Sequence, residues 1–217
     1  MTESVTGERQ SLSGGVRSRP ALPTDVNALV RICSKCFPEY YKWQSIYPIG
    51  KNWWQVAIES KASQIIVLED SSGIFALDVL VLALELWKAE NKRRNGSLMA
   101  RVFSAFCCPV PAVWKRLWKV ALARLTYRRP VRNSVLERNC EQTAWLEYIA
   151  VLPRMVRQGH ASWLFRIHEQ GALAAGSTTI NTHVDSENVP SRRMMEKMGY
   201  KLISEDIRGC LYGKSLV

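Results

Sequence analysis

Apolar positions along the chain recur with two different periods. Val26, Leu29, Val30, Ile32 and Cys33 repeat every three to four residues, which predicts a helix starting near Asp25. Thr24 or Asp25 would cap it, after a turn at Pro20 and Pro23. Residues 53–61 read as a second helix. Residues 64–68 and 74–84 are apolar runs joined by Glu69-Asp-Ser-Ser-Gly73, which predicts a hairpin. Further strands are expected at 16–19, 144–151, 178–184, 201–204 and 210–213, and further helices at 159–176 and 190–198. This alternation predicts an α/β (α+β) class, a mixed sheet flanked by helices. Residues 1–14 are polar and read as a flexible tail, so residues 15–217 form the expected single domain.

Composition changes this picture in one place. The chain has 217 residues, 47% hydrophobic and 23% charged, with a formal net charge of +11. These fractions exclude wholesale disorder. Thirteen of the 30 Lys and Arg, but only two of the 19 acids, lie between Leu86 and Asn139, which leaves the rest of the chain balanced. Within that segment, 111–127 has helical periodicity: Trp114, Leu117, Trp118, Ala121, Leu122 and Leu125 share one arc, opposite Lys115, Arg116 and Lys119. The segment reads foremost as a lid on an acceptor pocket. It also suits an anionic membrane surface. A nucleic-acid partner is disfavoured, since no nucleic-acid module is visible. The run 74–87 carries Asp78 and Glu85 and is too short to span a bilayer.

Six cysteines are present. The start Met-Thr-Glu-Ser has no apolar signal core, so a cytoplasmic chain with free thiols is expected, peripheral to a membrane if the basic segment binds one. Cys33-x-x-Cys36 has half the spacing of a zinc site, but no second pair follows, so no metal is expected.

The chemistry concentrates in 146–165. A strand ends at Val151, Pro153 stops it, and a short loop with Gly159 and Ala161 enters a helix. Small residues let a ligand approach the backbone, and the free N–H groups of a helix start attract phosphate. Arg154 and Arg157 add cations. This is the make-up of a pyrophosphate cradle.

The order Val151-x-Pro153-x-x-Val156-x-x-Gly159-x-Ala161 resembles the cofactor motif of the GNAT superfamily of acyl-CoA N-acyltransferases, with Val156 where that family has Arg or Gln. Asn188, Met194, Lys197, Gly199 and Tyr200 resemble its second motif, with Met195 in place of the usual Tyr. Arg17-Ser-Arg-Pro20 followed by Thr24-Asp25 resembles its start. The resemblance covers about 16–85 and 140–217. It implies a mostly antiparallel central sheet with residues 86–139 as a helical insertion, and acyl transfer from acetyl-CoA to a small-molecule or peptide amine. It assigns the donor to Ile149, Ala150, Val151, Val156, Arg157, Gln158, Gly159, His160, Ala161, Ser162, Asn188 and Met195.

A base must deprotonate the attacking ammonium. Glu147 is the candidate, on the expectation that strand alternation puts it on one face with Ile149 and Val151; an edge carboxylate meeting solvent or an Arg is the competing reading. His183 is the second candidate. For a general acid, Tyr148, Cys210 and Tyr212 remain open, and a thiolate leaving group may need none. The aromatic group Phe37, Tyr40, Tyr41, Trp43, Tyr47, Trp53 and Trp54 reads as core or as an acceptor pocket. Oligomerisation stays open, as does a non-catalytic CoA-binding or membrane-recruited regulatory role.

Overall fold

The computed structural model describes residues 15–38, 47–95, 118, 142–206 and 209–217. Its strands are β1 (Arg17–Pro20), β2 (Ser63–Asp70), β3 (Gly73–Val81), β4 (Thr143–Val151), β5 (Thr179–Val184), β6 (Lys201–Asp206) and β7 (Gly209–Ser215). Its helices are α1 (Val26–Cys36), α2 (Tyr47–Glu59), α3 (Leu84–Asn95), α4 (His160–Ala174) and α5 (Val189–Lys197). The strands form one sheet in the order β1-β2-β3-β4-β5-β7-β6. Only the central β4–β5 pair is parallel.

β3 is buried over almost its whole length because helices cover both faces. Tyr148, the cross-strand partner of Val79, packs on Phe37 and Trp53 of the α1/α2 side. Asp78 and Leu80 point the other way, toward α4. A second core joins Phe165, Ile180, Met195, Tyr200 and Tyr212 beneath α4 and α5. At the sheet edge, the Arg19 guanidinium grips Asp25 at 2.6 Å and Glu69 at 2.9 Å, so β1, the start of α1 and β2 are held together.

Several expected boundaries shift. β3 ends at Val81 rather than 84, and α3 begins at Leu84. Trp87 and Asn91 are buried four residues apart while Leu86 is exposed, so the period there is helical. α2 begins at Tyr47, six residues earlier than expected, because Pro48 sits in its first turn, where a missing N–H costs nothing. β6 and β7 are longer than expected. Most of the basic segment, including the expected helix over 111–127, lies outside the described residues, as do the expected tail 1–14 and Tyr40, Tyr41 and Trp43. Within that segment Trp118 is helical and 71% exposed. Among the described residues no helix is long and apolar enough to cross a membrane.

Candidate functional site

β4 and β5 part company halfway. Their pairing runs from Thr143–Thr179 to Leu146–Thr182 and stops, although both strands continue. Beyond that point one edge of β4 faces no strand among the described residues. The main-chain direction on this edge follows from the other side. Leu152 donates its N–H to Phe75 at 2.9 Å, so the Phe75–Leu152 level is hydrogen-bonded. Levels alternate in an antiparallel ladder. Ala150, opposite Leu77, therefore turns its main chain to β3, while Ile149 and Val151 turn theirs to the open edge. The Cys36 thiol confirms the direction, since it donates to the Val151 carbonyl at 3.3 Å. Burial raises the Cys36 pKa, which keeps this donor protonated. The Ala150 methyl is buried and its main-chain polar groups turn to β3.

After β4, Pro153–Met155 makes one 3-10 turn and Val156 is extended. Arg157 then takes φ 65°, left-handed backbone that disfavours a side chain, and Gly159 takes φ 84° as the N-cap of α4. Only Trp163 begins the helical ladder, by donating to Gly159. The N–H groups of His160, Ala161 and Ser162 precede it, with no capping side chain and no acid in the first turn. Such an N-terminus carries partial positive charge and open donors, and it fits the diphosphate of a coenzyme A. The Arg154 guanidinium donates to Ser72 Oγ at 2.8 Å, in the turn between β2 and β3. The His160 side chain points inward instead. It is buried on Phe75 and meets Gln158 at 3.3 Å, so it supports the loop from beneath.

Glu147 is exposed and lies at the divergence. The register skips it: Val79 faces Tyr148 and Leu80 faces Leu146. Glu147 is therefore the extra residue of a bulge, and simple alternation with Ile149 and Val151 does not hold there. His183 is exposed and stacks on Trp145, with ring centroids 5.8 Å apart. Asn188 uses its side chain to accept from Ser191 N–H at 3.2 Å, which caps α5. Met195 is buried in the second core and supplies no proton. Among the acid candidates, Cys210 is buried and burial raises its pKa. Tyr212 is also buried and donates to Glu196 at 3.3 Å. Tyr148 belongs to the aromatic group of Phe37, Trp53 and Trp54. Trp87 joins that group through Trp53. Cys33 and Cys36 are free thiols, and no metal-ligand cluster exists among the described residues.

One pair escaped sequence reading. His168 Nδ1 of α4 meets both carboxylate oxygens of Asp78, at 2.8 and 2.9 Å, with both side chains fully buried. One hydrogen bond therefore joins the ring nitrogen of α4 to the carboxyl group of β3. Burial raises the Asp78 pKa, opposed by the His168 charge and hydrogen bond. An acid inside an otherwise apolar strand was the available signal, but its partner lies 90 residues away.

Known proteins share the fold of this chain. A family model described as Acetyltransferase (GNAT) family matches residues 119–200. That span contains β4, the cradle, α4, β5 and α5. The chain has the GNAT fold. An N-acetyltransferase from Staphylococcus aureus Mu50 is 16% identical, aligns over 93% of this chain and 99% of its own, and gives a TM-score of 0.56. The PaiA N-acetyltransferase from Thermoplasma acidophilum, in complex with coenzyme A, is 10% identical, with 92% and 98% covered and a TM-score of 0.59. YncA from Salmonella typhimurium, with its cofactor acetyl-CoA, is 11% identical, with 94% and 95% covered and a TM-score of 0.57. No curated protein matches the sequence. At these identities the likeness is one of fold, and the GNAT fold of this chain is common ground with proteins that hold coenzyme A.

Proposed function

We propose that this chain is an N-acetyltransferase that passes an acetyl group from acetyl-CoA to a primary amine. The observation that carries this reading is the uncapped start of α4 next to the open edge of β4. The N–H groups of 160–162, with Val156, Arg157, Gln158 and Gly159 of the loop, would take the diphosphate. The main chains of Ile149 and Val151 would pair with the amide-bearing arm. Val151 N–H, on the same edge, is the donor available to the thioester oxygen as charge develops there. Bound acetyl-CoA supplies the activated acyl group, and this chain's residues orient it and handle the proton. Glu147 accepts the proton from the ammonium, directly or through one water, and the amine attacks the thioester carbon. The carbon–sulfur bond then breaks, the nitrogen gives its second proton to the departing thiolate, and coenzyme A leaves as the thiol.

The acceptor is a small-molecule or peptide amine that enters beside Glu147, with the aromatic group from Phe37 to Trp87 behind it. The basic stretch 86–139 covers that entrance or meets an anionic membrane. Binding to anionic but not neutral liposomes at low salt would support the membrane role. Met195, buried where the resemblance led one to expect a phenol, favours a second reading in which the chain binds acetyl-CoA without turnover. Calorimetry with acetyl-CoA tests the donor site, and thiol release across an amine panel separates the two readings. Absence of any acetyl-CoA binding by folded protein overturns both.

A further inference from the structure

The donor proposed above is held by two different elements. Its phosphates sit on the start of α4 and its arm on the edge of β4. Catalysis then depends on how α4 lies along the sheet, since a shift of that helix moves the cradle relative to the acyl carbon. The loop over 152–159 links the two elements, and its extended and left-handed residues do not by themselves fix that offset. Apolar contacts through Leu164 bury area but specify direction weakly.

Between described residues two ion pairs hold α4 to the sheet. Glu169–Lys214, at 2.7 Å, reaches the distant β7. His168–Asp78 reaches β3, and Asp78 is the cross-strand partner of Ile149. The second pair thus lies beneath the strand segment that faces the donor, about 12 Å along the helix from its start. His168 Nδ1 spans both carboxyl oxygens, so the contact is directional. His168 Nε2 is buried with no partner among the described residues, so Nδ1 is the ring's polar link to the sheet there.

We infer that His168 and Asp78 are a positioning pair that sets the offset of α4 against β4, and so the spacing between the phosphate cradle and the acyl edge. Neither touches the reacting atoms. The inference rests on the donor reading. It predicts that the pair matters for a ligand that engages both ends and not for one that engages the cradle alone.

The test compares acetyl-CoA with adenosine 3′-phosphate 5′-diphosphate, its nucleotide half, by calorimetry. In D78V/H168L, which replaces the pair by apolar side chains and leaves no unpaired buried charge, acetyl-CoA should bind about tenfold more weakly. The nucleotide half should stay within about twofold of wild type. H168N, which keeps an N–H donor near the Nδ1 position, should recover acetyl-CoA affinity to within about threefold. Should the apolar pair fail to fold, D78L alone removes both acceptor oxygens facing Nδ1 and should show the same selective loss. Equal weakening of both ligands, or undiminished acetyl-CoA binding in a folded variant, overturns the inference and leaves the donor reading standing. Failure of wild type to bind either ligand removes both.

Discussion

Glu147 sits in a bulge, and that position is what makes it useful. A bulge re-aims a side chain by bending its strand and locally interrupting the ladder. Removal of its charge by E147Q should lower kcat about 100-fold at neutral pH with little change in KM for acetyl-CoA. The loss should shrink as pH rises, because more amine is already neutral. Thiol release against pH checks this, and a rate identical to wild type at every pH rules out Glu147 as the base. Gly209 shows a backbone constraint of a different kind. It has φ 129°, and a Cβ there would lie 2.4 Å from the Val184 carbonyl oxygen. G209A should cost about 2 kcal/mol or more, read as a fall in denaturant midpoint at unchanged slope.

At the scale of elements, the loop before α4 holds strained backbone at the proposed donor site. Arg157 holds left-handed backbone where glycine is at ease. R157G should leave stability unchanged or raise it by up to about 1 kcal/mol, while it weakens acetyl-CoA severalfold, with a smaller loss at high salt. Opposite signs in melting and calorimetry are the expected result. The start of α1 offers a pH-dependent case. Burial of Asp25 raises its pKa, but the Arg19 hydrogen bond, the Leu22 N–H and the Arg19 charge together hold it below the ordinary value. A depressed carboxyl contributes stability that is full above about pH 4 and fades as pH falls through the lowered value. R19M should therefore lower Tm by about 2–4 °C near pH 7, for a loss of about 1 kcal/mol, and the gap should close in acid. A gap that persists in strong acid would mean that Arg19 acts through packing alone.

For the whole molecule, the sheet is one body whose two halves meet at β4 and β5 and then diverge. A donor laid in that divergence touches β4 and the start of α4 together, so binding should stabilise the folded chain. At 100 times its Kd, acetyl-CoA should add about 2.7 kcal/mol, seen as a rise in Tm that grows with concentration. No shift at saturation would contradict a site that exists only in the folded chain.

The sequence by itself placed the described strands, though not all of their ends, and the starts of α1, α4 and α5, but neither the start of α2 nor the helix α3. The placed elements depend on side-chain period and on turn residues a few positions apart, and such local signals are written in order along the chain. It placed Glu147 at the site but not in a bulge, since a bulge is a relation between two strands. It could not show that Ile149 and Val151, and not Ala150, face the open edge, nor that Cys36 occupies the Val151 carbonyl across 115 positions. Nor could it join Asp78 to His168. Those contacts arise when distant segments stack on one sheet, and burial then selects partners that no neighbouring residue announces.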